Sequence, residues 1–92
     1  MPHIVIEYSN NIDNLVKNTN LVKTLHKVVT DSGLFAPEAV KARALIYNDY
    51  VLHGTSTSFI HVTTSILGGR TLSQRIELNE KIFQTIKNAL LL

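Results

Sequence analysis

The chain has 92 residues, 45% hydrophobic and 17% charged, with a formal net charge of +2 and no cysteine. Its lysines and arginines are scattered, which argues against nucleic acid as the main partner; disulfides and thiol chemistry are excluded, no apolar run reaches the roughly 20 residues of a membrane span, and no secretory leader opens the chain. One small cytoplasmic domain over residues 1–92 is expected, and so little charge on a domain with so much surface for its volume points to surface hidden in an oligomer.

His3 to Tyr8 alternates, with Ile4, Ile6 and Tyr8 on one side and His3, Val5 and Glu7 on the other, which predicts a strand. Ser9-Asn10-Asn11 ends it, and Ile12 to Asn18 is left open between irregular and partly helical. Leu21, Val22, Leu25, Val28 and Val29 then form one face of a helix over 20–32, with Asn20 as N-cap and Gly33 as its terminating glycine. Pro37 opens a short helical turn.

A second strand is predicted over Lys41 to Val51, with Val40, Ala42, Ala44 and Ile46 on one face and Lys41, Arg43, Leu45 and Tyr47 on the other. Two cations and an aromatic on a strand face are not a core; they line solvent, a partner or a pocket. Turn chemistry follows around Asn48 to Ser56, then a third strand over Ser58 to Leu67. Gly68-Gly69-Arg70 makes a tight loop, Thr71 and Gln74 form a capping box, and a helix runs on to Leu90. The order is β-α-β followed by β-α, a loose repeat that stops at an apolar Leu90-Leu91-Leu92.

Several residues could carry chemistry. Pro2, freed of Met1, would present a secondary amine anchored by a strand; an α-amino group titrates near ~7.7–8.0, so it could serve as a neutral base. Equally, Pro2 could do no more than favour Met1 removal and begin an edge strand. The Gly68-Gly69-Arg70 loop before a helix N-terminus suits an anion, with Arg70 as a bidentate donor, or is simply a turn. The four histidines show no metal-ligand spacing, although His3 and His61 could be neighbours. Glu7 is expected to be a strand-end carboxylate paired with a lysine, with a buried acid as the alternative, and Tyr47 and Phe59 are expected to pack and not to bind.

Met1-Pro2-His3-Ile4-Val5-Ile6-Glu7-Tyr8-Ser9, Ser32-Gly33-Leu34-Phe35, Lys41-Ala42-Arg43, Phe59-Ile60-His61-Val62-Thr63 and Gly69-Arg70-Thr71-Leu72 through Arg75 together resemble the 5-carboxymethyl-2-hydroxymuconate Δ-isomerase family of the tautomerase superfamily. The resemblance covers nearly the whole chain. It implies an α+β fold, a tautomerase-like β-α-β repeat with two helices on one face of a sheet, and a homotrimer with the other sheet faces inward. It implies a cofactor-independent isomerase of aromatic degradation that moves a proton between carbons of an unsaturated 2-hydroxy or 2-oxo dicarboxylic acid. Pro2 falls at the catalytic base and Arg70 at an arginine that holds a carboxylate and steadies enolate charge. The second family arginine falls at Lys41, with the arginine that follows it at Arg43. Lysine cannot form the arginine fork, and Arg43 shares the strand face of Lys41, so either could fill the role. The family's further C-terminal strand is not found within this sequence. The competing expectation is a non-catalytic module that binds a small anion or oligomerises, because fold alone does not settle function.

Overall fold

A computed structural model describes residues 1–90; the expectation about the apolar end falls partly on Leu91 and Leu92, outside the described residues. The elements are β1 (His3–Ser9), a 3₁₀ turn (Asn10–Ile12), α1 (Asp13–Asn18), α2 (Leu21–Asp31), a second 3₁₀ turn (Pro37–Ala39), β2 (Lys41–Tyr47), β3 (Ile60–Ser65) and α3 (Leu72–Leu90). The sheet order is β2-β1-β3, so the first strand is the central one.

The alternation in β1 explains that placement. Ile4, Ile6 and Tyr8 are buried beneath the helices, while His3, Val5 and Glu7 face the other way. β2 lies parallel to β1, pairing His3 with Lys41, Val5 with Arg43 and Ser9 with Tyr47. Parallel pairing needs a long crossover, which α1 and α2 supply. Leu21, Leu25 and Val29 on α2 are fully buried against the sheet. Each such side chain contributes about 1.5–3 kcal/mol of transfer free energy. β3 returns antiparallel to β1, setting Ser65 opposite His3 and His61 opposite Glu7. α3 then packs on α2 and closes the same layer with Leu78 and Ile82. The result is a small α+β fold with its helices on one side of the sheet.

Polar groups lock the connections. The buried Tyr8 hydroxyl donates to Asp13 Oδ1 at 2.6 Å, tying β1 to the start of α1; burial and this bond push the phenol up to about 12. Ser9, the buried polar residue of the core layer, donates from its backbone N–H to the Phe59 carbonyl and accepts the Phe59 N–H on Oγ. The capping box forms in both directions, with Gln74 N–H on Thr71 Oγ1 at 3.1 Å and Thr71 N–H on Gln74 Oε1 at 2.9 Å.

Some expectations change. Asn20 stands at the predicted cap position but has a left-handed backbone, φ 51°, and its side chain makes no cap bond. It is the sharp corner between α1 and α2, and short polar side chains tolerate that conformation. Gly33 does terminate α2, with φ 74°. The open stretch before α2 resolves into the 3₁₀ turn and α1. β2 ends at Tyr47 and not Val51, because β1, its partner in the sheet, ends at Ser9. β3 is likewise trimmed to Ile60–Ser65 by the length of β1. Among the described residues no element covers the sheet face opposite the helices, and Lys41, Arg43, Leu45, His61 and Thr63 are exposed on it.

Candidate active site

The candidate residues gather at one end of the sheet, and the topology is the reason. β1 and β2 are parallel, so Pro2 and Lys41 stand together at their starts. β3 is antiparallel, so its exit at Ser65, and the Gly68-Gly69-Arg70 loop beyond, lie at that same end. The turn from α2 into β2, carrying Leu34 and Phe35, arrives there too.

Pro2 is fully buried, whereas Met1 is 47% exposed. The Lys41 N–H donates to the Pro2 carbonyl at 3.1 Å. The sheet ladder therefore reaches back to the second residue, and the usual fraying of a chain start is suppressed. With Met1 in place the Pro2 nitrogen belongs to a peptide bond and is not basic.

Arg70 is half-buried and held on three sides. Its Nε and one terminal nitrogen donate to the Leu34 carbonyl at 3.2 and 2.6 Å, and the other terminal nitrogen donates to the Gly68 carbonyl at 3.3 Å. The guanidinium sits 4.5 Å over the Phe35 ring, a cation–π contact. A guanidinium carries five N–H donors, so one hydrogen on each terminal nitrogen stays free for a carboxylate. Gly69, at φ 101°, supplies the backbone that aims this loop, a conformation that side-chain-bearing residues rarely adopt.

Lys41 and Arg43 differ in what they touch. Lys41 Nζ turns to the Ala39 carbonyl at 3.2 Å. An Arg43 terminal nitrogen lies 3.0 Å from His3 Nδ1, directly after Pro2. Partial burial holds His3 below the usual imidazole range, and the charges of Arg43, the chain amino terminus and Lys41 push the same way.

The other end of the open face carries a cluster that sequence reasoning missed. Tyr47 donates its hydroxyl to Glu7 Oε2, and His61 Nδ1 lies 3.6 Å from Glu7 Oε1. The tyrosine bond holds Glu7 below the usual carboxylate range, with His61 adding to it against a smaller opposing effect of burial. Tyr47 is raised in turn by Glu7. The expected lysine partner of Glu7 is thus replaced by Tyr47 and His61, since β2 and β3 set those residues beside it. His3 and His61 are not neighbours, because the register puts His3 across from Ser65. Tyr47 and Phe59 do pack, at 5.9 Å between ring centroids, with Tyr50 completing the cluster at 5.4 Å. Strand alternation and parallel register together could have revealed both the His3–Arg43 and Glu7–Tyr47 pairs; the missing information was which strands are adjacent.

A groove of about 690 Å³ lies elsewhere, between α1, α2 and β2 on the helix side, over Tyr8, Val16, Leu21 and Ala44. Pro2, Arg43 and Arg70 do not line it.

With this geometry in place, relatives can be compared. A sequence model of the 5-carboxymethyl-2-hydroxymuconate isomerase family matches residues 2–91. The chain belongs to that family. Membership marks it as an isomerase of tautomerase type. Among solved structures, a 5-carboxymethyl-2-hydroxymuconate isomerase from Deinococcus radiodurans R1 superposes with a TM-score of 0.85 at 24% identity, over 96% of this chain and 68% of that one. A 5-carboxymethyl-2-hydroxymuconate delta-isomerase gives 0.80 at 21% identity, over 98% and 71%. A Q0 fused 4-OT wild type symmetric trimer gives 0.78 at 21% identity, over 97% and 74%. At these identities the superpositions establish the tautomerase-like fold, and family membership rests on the sequence match. No curated protein sequence matches the chain. Among the described residues no helix is long and apolar enough to cross a membrane.

Proposed function

We propose that the chain, once Met1 is removed, moves a proton between carbons of an unsaturated 2-hydroxy or 2-oxo dicarboxylic acid, with the Pro2 amine as general base. A carbon-bound proton beside a conjugated carbonyl is weakly acidic. Its removal needs a base with a pKa near ambient pH and fixed positive charge where the dienolate oxygen develops. The neutral Pro2 amine takes the proton from one carbon, and the protonated amine returns it to another further along the conjugated system. The overall change balances without an oxidant, a reductant or a cofactor. Arg70 and Arg43, with Lys41 nearby, hold the carboxylates and face the developing charge.

The observation that carries this proposal is the Lys41 N–H bond to the Pro2 carbonyl, which fixes residue 2 at the cationic end of the sheet. We also propose a homotrimer. The sheet face left open by this chain is where other copies would pack, and they would supply the wall that the Pro2 end lacks. A relative of the same fold is a symmetric trimer, and the low charge content fits a hidden surface.

The test combines intact mass with an ultraviolet assay of a 2-hydroxymuconate-type diacid. Protein of a mass lacking Met1 should isomerise it. No turnover by Met1-free protein would leave a small-anion-binding or oligomerisation module as the function.

A further inference from the structure

Arg43 stands on an edge strand, on the open face, where a long cationic side chain ordinarily samples many rotamers. Its terminal nitrogen meets His3 Nδ1 at 3.0 Å. A guanidinium only donates hydrogen bonds, so Nδ1 is the acceptor, and the imidazole must be neutral with its hydrogen on Nε2. The contact is exposed and joins two strands that the backbone ladder already pairs, so a purely structural purpose is weak. Its effect is local: the fork of Arg43 is held beside the residue next to Pro2, with its other donors free.

We propose that His3 is a positioning residue that aims Arg43 at a substrate carboxylate, and that its neutral Nε2–H tautomer is the aiming state. This builds on the dicarboxylate isomerase proposed above. Lys41 is the obvious rival for the carboxylate, but its ammonium is turned onto the Ala39 carbonyl and is a point charge without a fork.

A device follows from the same geometry. Protonating His3 would replace an acceptor with a cation 3.0 Å from the guanidinium, and Arg43 would be released. The groups acting on His3 all oppose its protonation: Arg43 and Lys41 from β2 and the amino terminus from its own strand. β3 sets only the uncharged Ser65 opposite, and the carboxylate of Glu7 further along β1 is engaged by Tyr47 and His61. Among the described residues nothing on the facing elements offers His3 an anion, which favours the neutral ring that the contact with Arg43 requires.

Two measurements test this on the Met1-free protein. Nitrogen-15 imidazole NMR should show His3 as the Nε2–H tautomer, and Arg43→Ala should raise its titration midpoint. The second is calorimetry with adipate, a saturated dicarboxylate, on wild type, His3→Phe and His3→Asn. His3→Phe should weaken binding about tenfold, the scale of a misaligned charge-assisted fork. His3→Asn, whose Oδ1 can accept from Arg43 without titrating, should stay within about threefold and lose the weakening expected of wild type as pH falls below the ordinary imidazole value of ~6.5. An Nδ1–H tautomer, a midpoint indifferent to Arg43→Ala, or His3→Phe binding adipate like wild type would each overturn the positioning role. Wild type that neither binds adipate nor isomerises a diacid would instead overturn the dicarboxylate function, and the NMR result would still report separately on the His3–Arg43 contact.

Discussion

Arg70→Ala should harm stability and catalysis by separable amounts. On the stability side, the guanidinium gives two hydrogen bonds to one carbonyl, Leu34, and covers the Phe35 ring. A bond from a charged donor is worth about 1.5–3 kcal/mol net. Two bonds sharing one acceptor on a half-exposed residue are counted here as one bond, at the lower end of that range. The ring contact adds about 0.5–1 kcal/mol. The loss is therefore about 2–2.5 kcal/mol, and at roughly 4–8 °C per kcal/mol for a domain of this size Tm should fall by roughly 8–20 °C. On the catalytic side, losing one preorganised donor at a developing oxyanion costs about 2.7–4 kcal/mol, or 10²–10³ in kcat. Circular-dichroism melts and turnover, the latter assayed well below the variant's Tm, separate the two. Arg70→Lys keeps a charge over Phe35 and should regain about half of the lost Tm, yet little of the rate, because the fork is gone. An unchanged Tm would refute the anchoring by Leu34 and Phe35. An unchanged rate in a folded variant would remove Arg70 from the site.

Four further outcomes are expected. With Met1 removed, the rate should rise with pH and level off with a midpoint below roughly 7.7–8.0, since burial and the cations near Pro2 disfavour its protonated form; one extra residue before Pro2, verified by mass, should abolish turnover, and full activity there would exclude the proline base. Arg43→Ala should reduce activity at least as much as Lys41→Ala, and the reverse ranking would mean that a point charge suffices. Glu7 is held low by Tyr47, so its contribution to stability is present above the ordinary carboxyl range and lost as pH falls through its lowered value; Tyr47→Phe should flatten the Tm profile on the acid side of about pH 4, and an unaltered profile would count against the pair. Sedimentation equilibrium should give about three times the 10.3 kDa chain mass, and a stable monomer at micromolar concentration would sink the trimer.

The elements with strict periods were legible from residues alone. Ile4, Ile6 and Tyr8 announce the buried face of β1, and Leu21, Leu25 and Val29 that of α2, because period is a local property that packing only has to accept. The ends were less legible. β2 and β3 stop where β1 stops, a limit set by a partner strand and invisible in their own sequences. Asn20 has the composition of a cap and the conformation of a corner, since the angle between α1 and α2 outweighs one side-chain bond. The candidates Pro2, Lys41, Arg43 and Arg70 were picked out through residue type and resemblance, and the parallel and antiparallel pairing of the strands explains why they share one end of the sheet. What they touch was not legible. His3 under Arg43, and Leu34 with Phe35 under Arg70, are pairings across 35 to 40 positions of sequence, and they exist only once the register is set.

The bond from Lys41 to the Pro2 carbonyl fixes when the proposed base loses its freedom. Ordering a backbone residue takes about 1–2 kcal/mol of conformational entropy. Had the chain start been loose, that entropy would be lost with each substrate bound, and would appear in KM or in the barrier. Here it is lost once, when β1 and β2 zip together during folding, and every later turnover starts from a terminus already at rest. The local stability of that first rung, more than the stability of the whole sheet, then sets how ready the proposed base is. Mutations that loosen the start of β2 should lower the rate before they lower the melting temperature, because the first rung of the ladder frays long before the sheet comes apart.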